Sequence, residues 1–234
     1  YTAQNINLGK IRNRGIEFLI SGTPVKIKDF SWSISWNFTK NWSKVISLPE
    51  ALGGSTMIYG FTGGTGLYAM TGKELGIFKA YVPLRDPATG KIVVDKKGLP
   101  VKNPEQQIVG SMNHKYMMGI NNTFMYKGVS LSFDIDIRHG GKMFSRTKSI
   151  NYFVGNAIQT TYNSRNPWII PNTVVQDGVD GSGNPKYIDN ATPLNATDIY
   201  NYWNNGGIDM DSGFLIDKSY VKLRSVVVGW DLPK

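Results

Sequence analysis

The segment Phe30–Phe38, FSWSISWNF, alternates without exception, with Phe30, Trp32, Ile34, Trp36 and Phe38 set against Ser31, Ser33, Ser35 and Asn37. A strand sends successive side chains to opposite faces, so this stretch has one wholly apolar face and one small, polar face. Two settings accept such a strand. In a soluble sandwich the apolar face meets a second sheet; in a membrane barrel it meets lipid, and about 9–11 residues suffice to cross.

Four further segments repeat the pattern. Gly15–Ser21 sets Ile16, Phe18 and Ile20 against Glu17 and Ser21, with Leu19 as the exception. Tyr116–Tyr126 puts Tyr116, Met118, Ile120, Phe124 and Tyr126 on one side, interrupted only by Asn122. In VSLSFDIDIR, Val129, Leu131, Phe133, Ile135 and Ile137 oppose Ser130, Ser132, Asp134, Asp136 and Arg138. Near the end, Val226, Val228, Trp230 and Leu232 follow Lys222 and Arg224 at the same parity, which implies snorkelling side chains or a bulge near Ser225.

The spacing decides more than the strands do. The first pair is joined by the short turn Gly22–Asp29 and the third and fourth by little more than Lys127 and Gly128, whereas residues 49–106 and 147–216 form two long connections. Structureless loops beyond about 12–15 residues are uncommon inside compact domains. Short turns at one rim and long loops at the other are the habit of outer-membrane barrels, whose interfaces also carry aromatic girdles. Phe30, Trp32, Tyr126 and Trp230 all fall at the short-turn rim. The expected fold is therefore all-β: antiparallel strands of a large transmembrane β-barrel with long extracellular loops. Residues 1–234 are expected to form part of one barrel domain, with strands near 11–21, 29–46, 108–127, 128–146 and 217–232.

Composition narrows the function. Only 18% of residues are charged, below the roughly 25% usual for soluble chains, which hints at membrane or interface life. Cysteine is absent, which excludes disulfides, thiolate metal sites and thiol catalysis. The net charge of +9 comes from scattered residues, the densest spots being Lys10, Arg12, Arg14 and the pair Lys96, Lys97, so nucleic acid is not an expected partner. No stretch approaches the ~18 apolar residues of a transmembrane helix.

Asp134 and Asp136 share one strand face about 6.5–7 Å apart, near the spacing of an inverting glycosidase pair and equally suited, with Arg138, to lining a water-filled lumen. GFTGGTG lacks the Lys-Ser/Thr of a phosphate loop, and DGVDGSGN has carboxylates at the wrong spacing for an EF-hand, leaving calcium in that loop as a weak option and no other cofactor. His114 and His139 have no second ligand in register and read as structural. The chain is read as no enzyme. Aromatic residues of the long connections, Tyr59, Phe61, Tyr68, Tyr152, Trp168, Tyr200, Tyr202 and Trp203, suit stacking on sugar faces or contact with a protein lid, and equally suit packing of loop on loop.

These segments together resemble the SusC/RagA-type TonB-dependent transporters of the outer membrane. IRNRGIEFLI (Ile11–Ile20) looks like that family's N-x-G-[IV]-E strand opening, and Asn41–Val45 is similar to its N-x-[NS]-K-V strand end. Gly119–Thr147 resembles its hairpin with a GG exit, and Ile216–Pro233 its near-terminal SY-x-[KR]-LR strand ending in LP. The resemblance implies a barrel of about 22 strands with a plugged lumen. It also implies import of oligosaccharides or oligopeptides, a SusD-like surface lipoprotein over the mouth, and TonB acting through an N-terminal portion. Neither a plug domain nor a TonB box precedes Tyr1, and the usual last strands are missing after Lys234. Five strands cannot close a barrel, so the chain reads as a late internal portion of one, embedded in outer-membrane lipid. The alternative is a secreted β-sandwich that binds carbohydrate.

Overall fold

The computed structural model describes residues 9–232. Two long antiparallel strands, β1 (Lys10–Ile27) and β2 (Phe30–Ser47), form a hairpin closed by Lys28 and Asp29 alone. After a first connection come β8 (Tyr116–Tyr126) and β9 (Val129–His139), and after a second β14 (Tyr220–Trp230). These five make one antiparallel sheet in the order β1-β2-β8-β9-β14, open at both edges.

The alternation read from the sequence sets the faces. Phe38 lies opposite Phe18 and Met118, Trp36 opposite Ile20 and Ile120, and Trp32 opposite Val25 and Phe124, so one face is apolar across the strands. Trp32 stacks on Phe124 at 5.9 Å between centroids, and Phe18 on Phe38 at 5.0 Å. Asn122 interrupts this face, and its side-chain oxygen accepts the Trp32 indole N–H at 3.1 Å. Among the described residues no second sheet covers this face. Ile20 stays 59% exposed and Val228 72%.

The strand limits differ from those expected, each for a local reason. The first strand runs on to Ile27 because a bulge between Gly22 and Val25 absorbs Pro24, which has no N–H to give to a ladder. The third begins at Tyr116 because Gln107–Ser111 pairs elsewhere, as described below. The fourth stops at His139, where Gly140 takes a left-handed φ of 77° and donates its N–H to the Ser219 hydroxyl at 2.8 Å. The last is two-framed. Ser225, Val226 and Val228 oppose Asp134, Phe133 and Leu131, but across a bulge at Arg224 the parity reverses, so Leu223 and Val221 join the apolar face. Lys222 thereby sits opposite Asp136 on the polar face, which resolves the parity conflict of Lys222 and Arg224.

Neither long connection is a plain loop. The first holds β3 (Ser55–Gly60), β4 (Gly66–Met70), β5 (Ile77–Ala80), β6 (Ile92–Val94) and β7 (Gln107–Ser111), of which β3-β4-β5-β7 form an antiparallel sheet. The second holds β10 (Lys142–Phe144), α1 (Arg146–Phe153), β11 (Thr173–Val179), β12 (Pro185–Asp189), α2 (Ala196–Asn204) and β13 (Leu215–Asp217). They interlock. β6 pairs in parallel with β11, Leu99 of the first packs on the core of Ile170, Leu194, Ile199 and Tyr202 in the second, and Lys91 bonds Asp189 at 2.5 Å. The unit docks on the far end of β2, where Val45 is fully buried and exchanges backbone hydrogen bonds with Lys73 and Gly72. Among the described residues no helix is long and apolar enough to cross a membrane.

Candidate functional site

Two surfaces offer polar chemistry. The first is the polar face of the five-stranded sheet, where a cavity of about 410 Å³ is lined by Ser35, Asn37, Thr39, Asn121, Asp134, Asp136, Arg138 and Arg224. Cross-strand registers bring these side chains together. Ser21 and Ser35 are bonded at 2.9 Å, and Thr123 and Ser132 at 3.3 Å. Asp134 accepts the Asn121 amide at 2.7 Å and the Ser225 hydroxyl. Asp136 accepts Arg224 at 2.5 and 3.0 Å and the Tyr220 hydroxyl at 2.8 Å. Each carboxylate is thus engaged by its own neighbours and by separate partners, an arrangement for a fixed polar wall more than for an acid-base pair working on one bond. Arg138 lies 5.5 Å over the Tyr220 ring, and its Nε is buried without a hydrogen-bond partner among the described residues.

The second surface is on the interlocked connections, clasped by Asp211. Its side chain, 2% exposed, accepts the Gly64 N–H at 2.9 Å and faces Lys102 Nζ at 3.5 Å, while its carbonyl accepts the Thr65 hydroxyl. A Cβ at Gly64 would lie 2.1 Å from the Tyr81 ring, so the glycine run serves close approach of two distant segments. Beside the clasp, a cavity of about 330 Å³ is lined by Thr62, Arg146, Ser149, Ile150, Phe153, Asn204 and Asp211.

Helix phase sorts the aromatic residues expected at a contact site. Asn195 caps α2 by accepting the Asp198 N–H at 2.9 Å, and from there Ile199 and Tyr202 point to the core while Tyr200 points out, 46% exposed. Ser145 caps α1 in the same way, so Tyr152 is buried against Trp203 and Phe214 and its neighbour Phe153 is exposed. Tyr152 and Tyr202, expected at a contact site, are therefore buried within the connection and help hold it together. Their environment agrees, since burial pushes both hydroxyls above the ordinary tyrosine range, with Asp209 adding to the effect. Trp168 and Trp203 pack edge-on against Tyr202 at 5.4 and 4.8 Å with their indole N–H groups buried, so they too act in packing.

In the first connection Phe61 stacks on Phe144 at 4.7 Å and is partly buried, and the Tyr68 hydroxyl donates to Gln106 at 2.8 Å. Tyr59 stays 60% exposed. Of the aromatics expected at a contact site the exposed ones are thus Tyr59 and Tyr200, joined by Phe153, which only the helix phase could have singled out, and by Tyr162, 54% exposed. Asp180 spends its oxygens on the N–H groups of Ser182 and Asn184 in the β11–β12 turn, which holds its carboxyl below the usual range. No group of three or more His, Asp or Glu gathers among the described residues. His114 Nδ1 bonds the Gly140 carbonyl at 2.9 Å, and His139 packs on Tyr116.

No family model matches the chain. Relatives do. The TonB-dependent receptor P3 of Formosa agariphila is 23% identical over 257 residues, covering all of this chain and 23% of that protein. The TonB-dependent receptor SusC of Bacteroides thetaiotaomicron is 25% identical over 142 residues, covering 55% of this chain and 14% of that protein. Among solved structures the RagAB peptide transporter superposes with a TM-score of 0.61 at 19% identity, over 97% of this chain and 24% of that one. The chain is thus similar to TonB-dependent receptors of the SusC/RagA type. It spans about a quarter of the length of the receptors it matches in full. Its sheet of antiparallel strands has the fold of the matching part of the RagAB peptide transporter and is not closed by the described residues alone.

Proposed function

We propose that the chain supplies part of the barrel wall and extracellular mouth of an importer that carries oligosaccharides across the outer membrane, driven by TonB. The observation that carries this reading is the two-faced sheet: one apolar face with no facing sheet among the described residues, one polar face lined by hydroxyls, amides and ion pairs, and both folded connections at the same end. The apolar face meets lipid and the polar face meets the lumen, with Asp134, Asp136 and Arg138 as wall residues. The absence of a facing sheet weighs against a soluble sandwich, whose apolar face needs one.

At the mouth, Tyr59, Phe153 and Tyr200 present exposed rings that suit the apolar faces of sugars, and the same surface is where a SusD-like lipoprotein would close. Oligopeptides are the second substrate class, favoured by the ionised Asp136–Arg224 pair and by Arg138, which suit peptide termini. The test uses the full-length receptor in intact cells. Changing Tyr59 and Tyr200 together to Ala should lower uptake of labelled oligosaccharides severalfold at constant surface level, with oligopeptide uptake measured in parallel. Unchanged uptake of both would remove these rings from the site.

A further inference from the structure

The cations of the hairpin are scattered in sequence but gathered by register. Arg12 lies opposite Lys44, Arg14 opposite Trp42 and Ile16 opposite Lys40, and these positions continue the face of Phe18 and Phe38. Four cations therefore stand on the apolar, outward face of the sheet. Lys40, Trp42 and Lys44 follow Phe38 by two, four and six residues, roughly 5–15 Å further along the membrane normal for a strand tilted near 45°. That is headgroup depth.

Three features say the cluster awaits an anion. Among the described residues none of the four cations has a carboxylate within ion-pair distance. Arg12 and Lys44 are like charges directly opposed, which costs free energy unless something negative lies between them. Lys40 Nζ sits 4.8 Å over the Trp42 ring, a pairing of cation and amphipathic aromatic suited to the boundary between lipid and water. The opposite rim differs. There the outward positions are Val25, Ile27, Phe30, Trp32, Tyr126, Val129 and Trp230, with no charge among them.

We infer that Arg12, Arg14, Lys40 and Lys44 form an outward-facing site for the phosphate groups of outer-leaflet lipid, seated just past the apolar band at the end that carries the long connections. The inference rests on the orientation proposed above. Guanidinium groups bind phosphate in bidentate fashion, and a ladder of cations two residues apart matches a headgroup that carries more than one phosphate. The site would anchor the barrel's depth and rotation in the outer leaflet.

The experiment places the full-length receptor in phosphatidylcholine nanodiscs with or without diphosphorylated lipid A and measures retention of lipid A. Each basic residue near an anionic surface contributes about fivefold in affinity, so R12Q/R14Q/K44Q should lower retention about a hundredfold. The charge-keeping R12K/R14K should retain most of it, and K26Q/K28Q at the other rim should change nothing. Equal retention by the wild type and R12Q/R14Q/K44Q, with both folded as barrels, would overturn the inference. Orientation is read separately through G181C in the β11–β12 turn, labelled by an impermeant maleimide on intact cells. Absence of labelling there would sink the proposed orientation instead.

Discussion

The five-stranded sheet and the interlocked connections are built on opposite principles. The sheet has no interior: its order comes from backbone ladders, and its two faces are sorted between two surroundings by the parity of the strand. The connections have a core of their own around Leu194, which is fully buried, and are held by helix caps, aromatic edges and the Asp211 clasp. The contrast teaches that hydrophobicity means different things in the two regions. An exposed valine of β14 is at home, whereas the buried Tyr202 of α2 is structural.

The contrast can be broken from the side of the connections. Trp168→Ala with Trp203→Ala removes two large partners of Tyr202 and should cost about 5 kcal/mol of local stability. Limited proteolysis should then cut within residues 147–216 while the barrel keeps its heat-modifiable migration on gels. Loss of the barrel as well would show that the two regions unfold as one.

From the side of the sheet, Phe133→Arg should cost about 2–4 kcal/mol of membrane stability, and Ser132→Arg, one residue away on the polar face, far less. Denaturant titration of the reconstituted barrel measures both, and equal midpoints would contradict the assignment of faces. Asn122→Leu sharpens the same point. It makes the outward face more apolar yet strands the Trp32 N–H, so it should destabilise by about 1–3 kcal/mol where hydrophobicity alone would forecast a gain.

The smallest expected effect is one of pH. Hydrogen bonds from the Thr89 hydroxyl and then the Ala88 N–H hold the Asp86 carboxyl below its ordinary value. A depressed folded pKa stabilises above the unfolded value and loses that contribution as pH falls through the folded one. The turn should therefore loosen only below about pH 4, and Asp86→Asn should abolish the dependence when hydrogen exchange of residues 86–91 is followed across that window.

Much of the sheet was legible because a period of two over nine residues has few readings. Its faces could be written down from Phe30–Phe38 and Val129–Arg138 alone. The connections were not legible in that way. Residues 147–216 read as loops because their glycines and asparagines dominate, although Asn195 followed by Asp198 is a usable helix start whose phase would have separated Tyr200 from Tyr202. The Asp211 clasp lies 147 residues from Gly64, and nothing local links the two. The Arg14–Trp42 register was likewise hidden until the bulge at Pro24 fixed the length of the hairpin.

The bulge at Arg224 gives the last strand a tolerance of counting that the unbulged β9 lacks. Substituting Arg224 removes one ion pair to Asp136 and leaves the frame intact. Deleting the residue would close the bulge, setting Leu223 and Ser225 side by side opposite Ile135 and Asp134, with Val221 and Leu223 still on the apolar face and Tyr220 and Lys222 still on the polar one. Deleting a residue from the middle of β9 would instead turn over every side chain on one side of the cut. Loss of one codon should therefore be found among working relatives at the bulge more often than within β9.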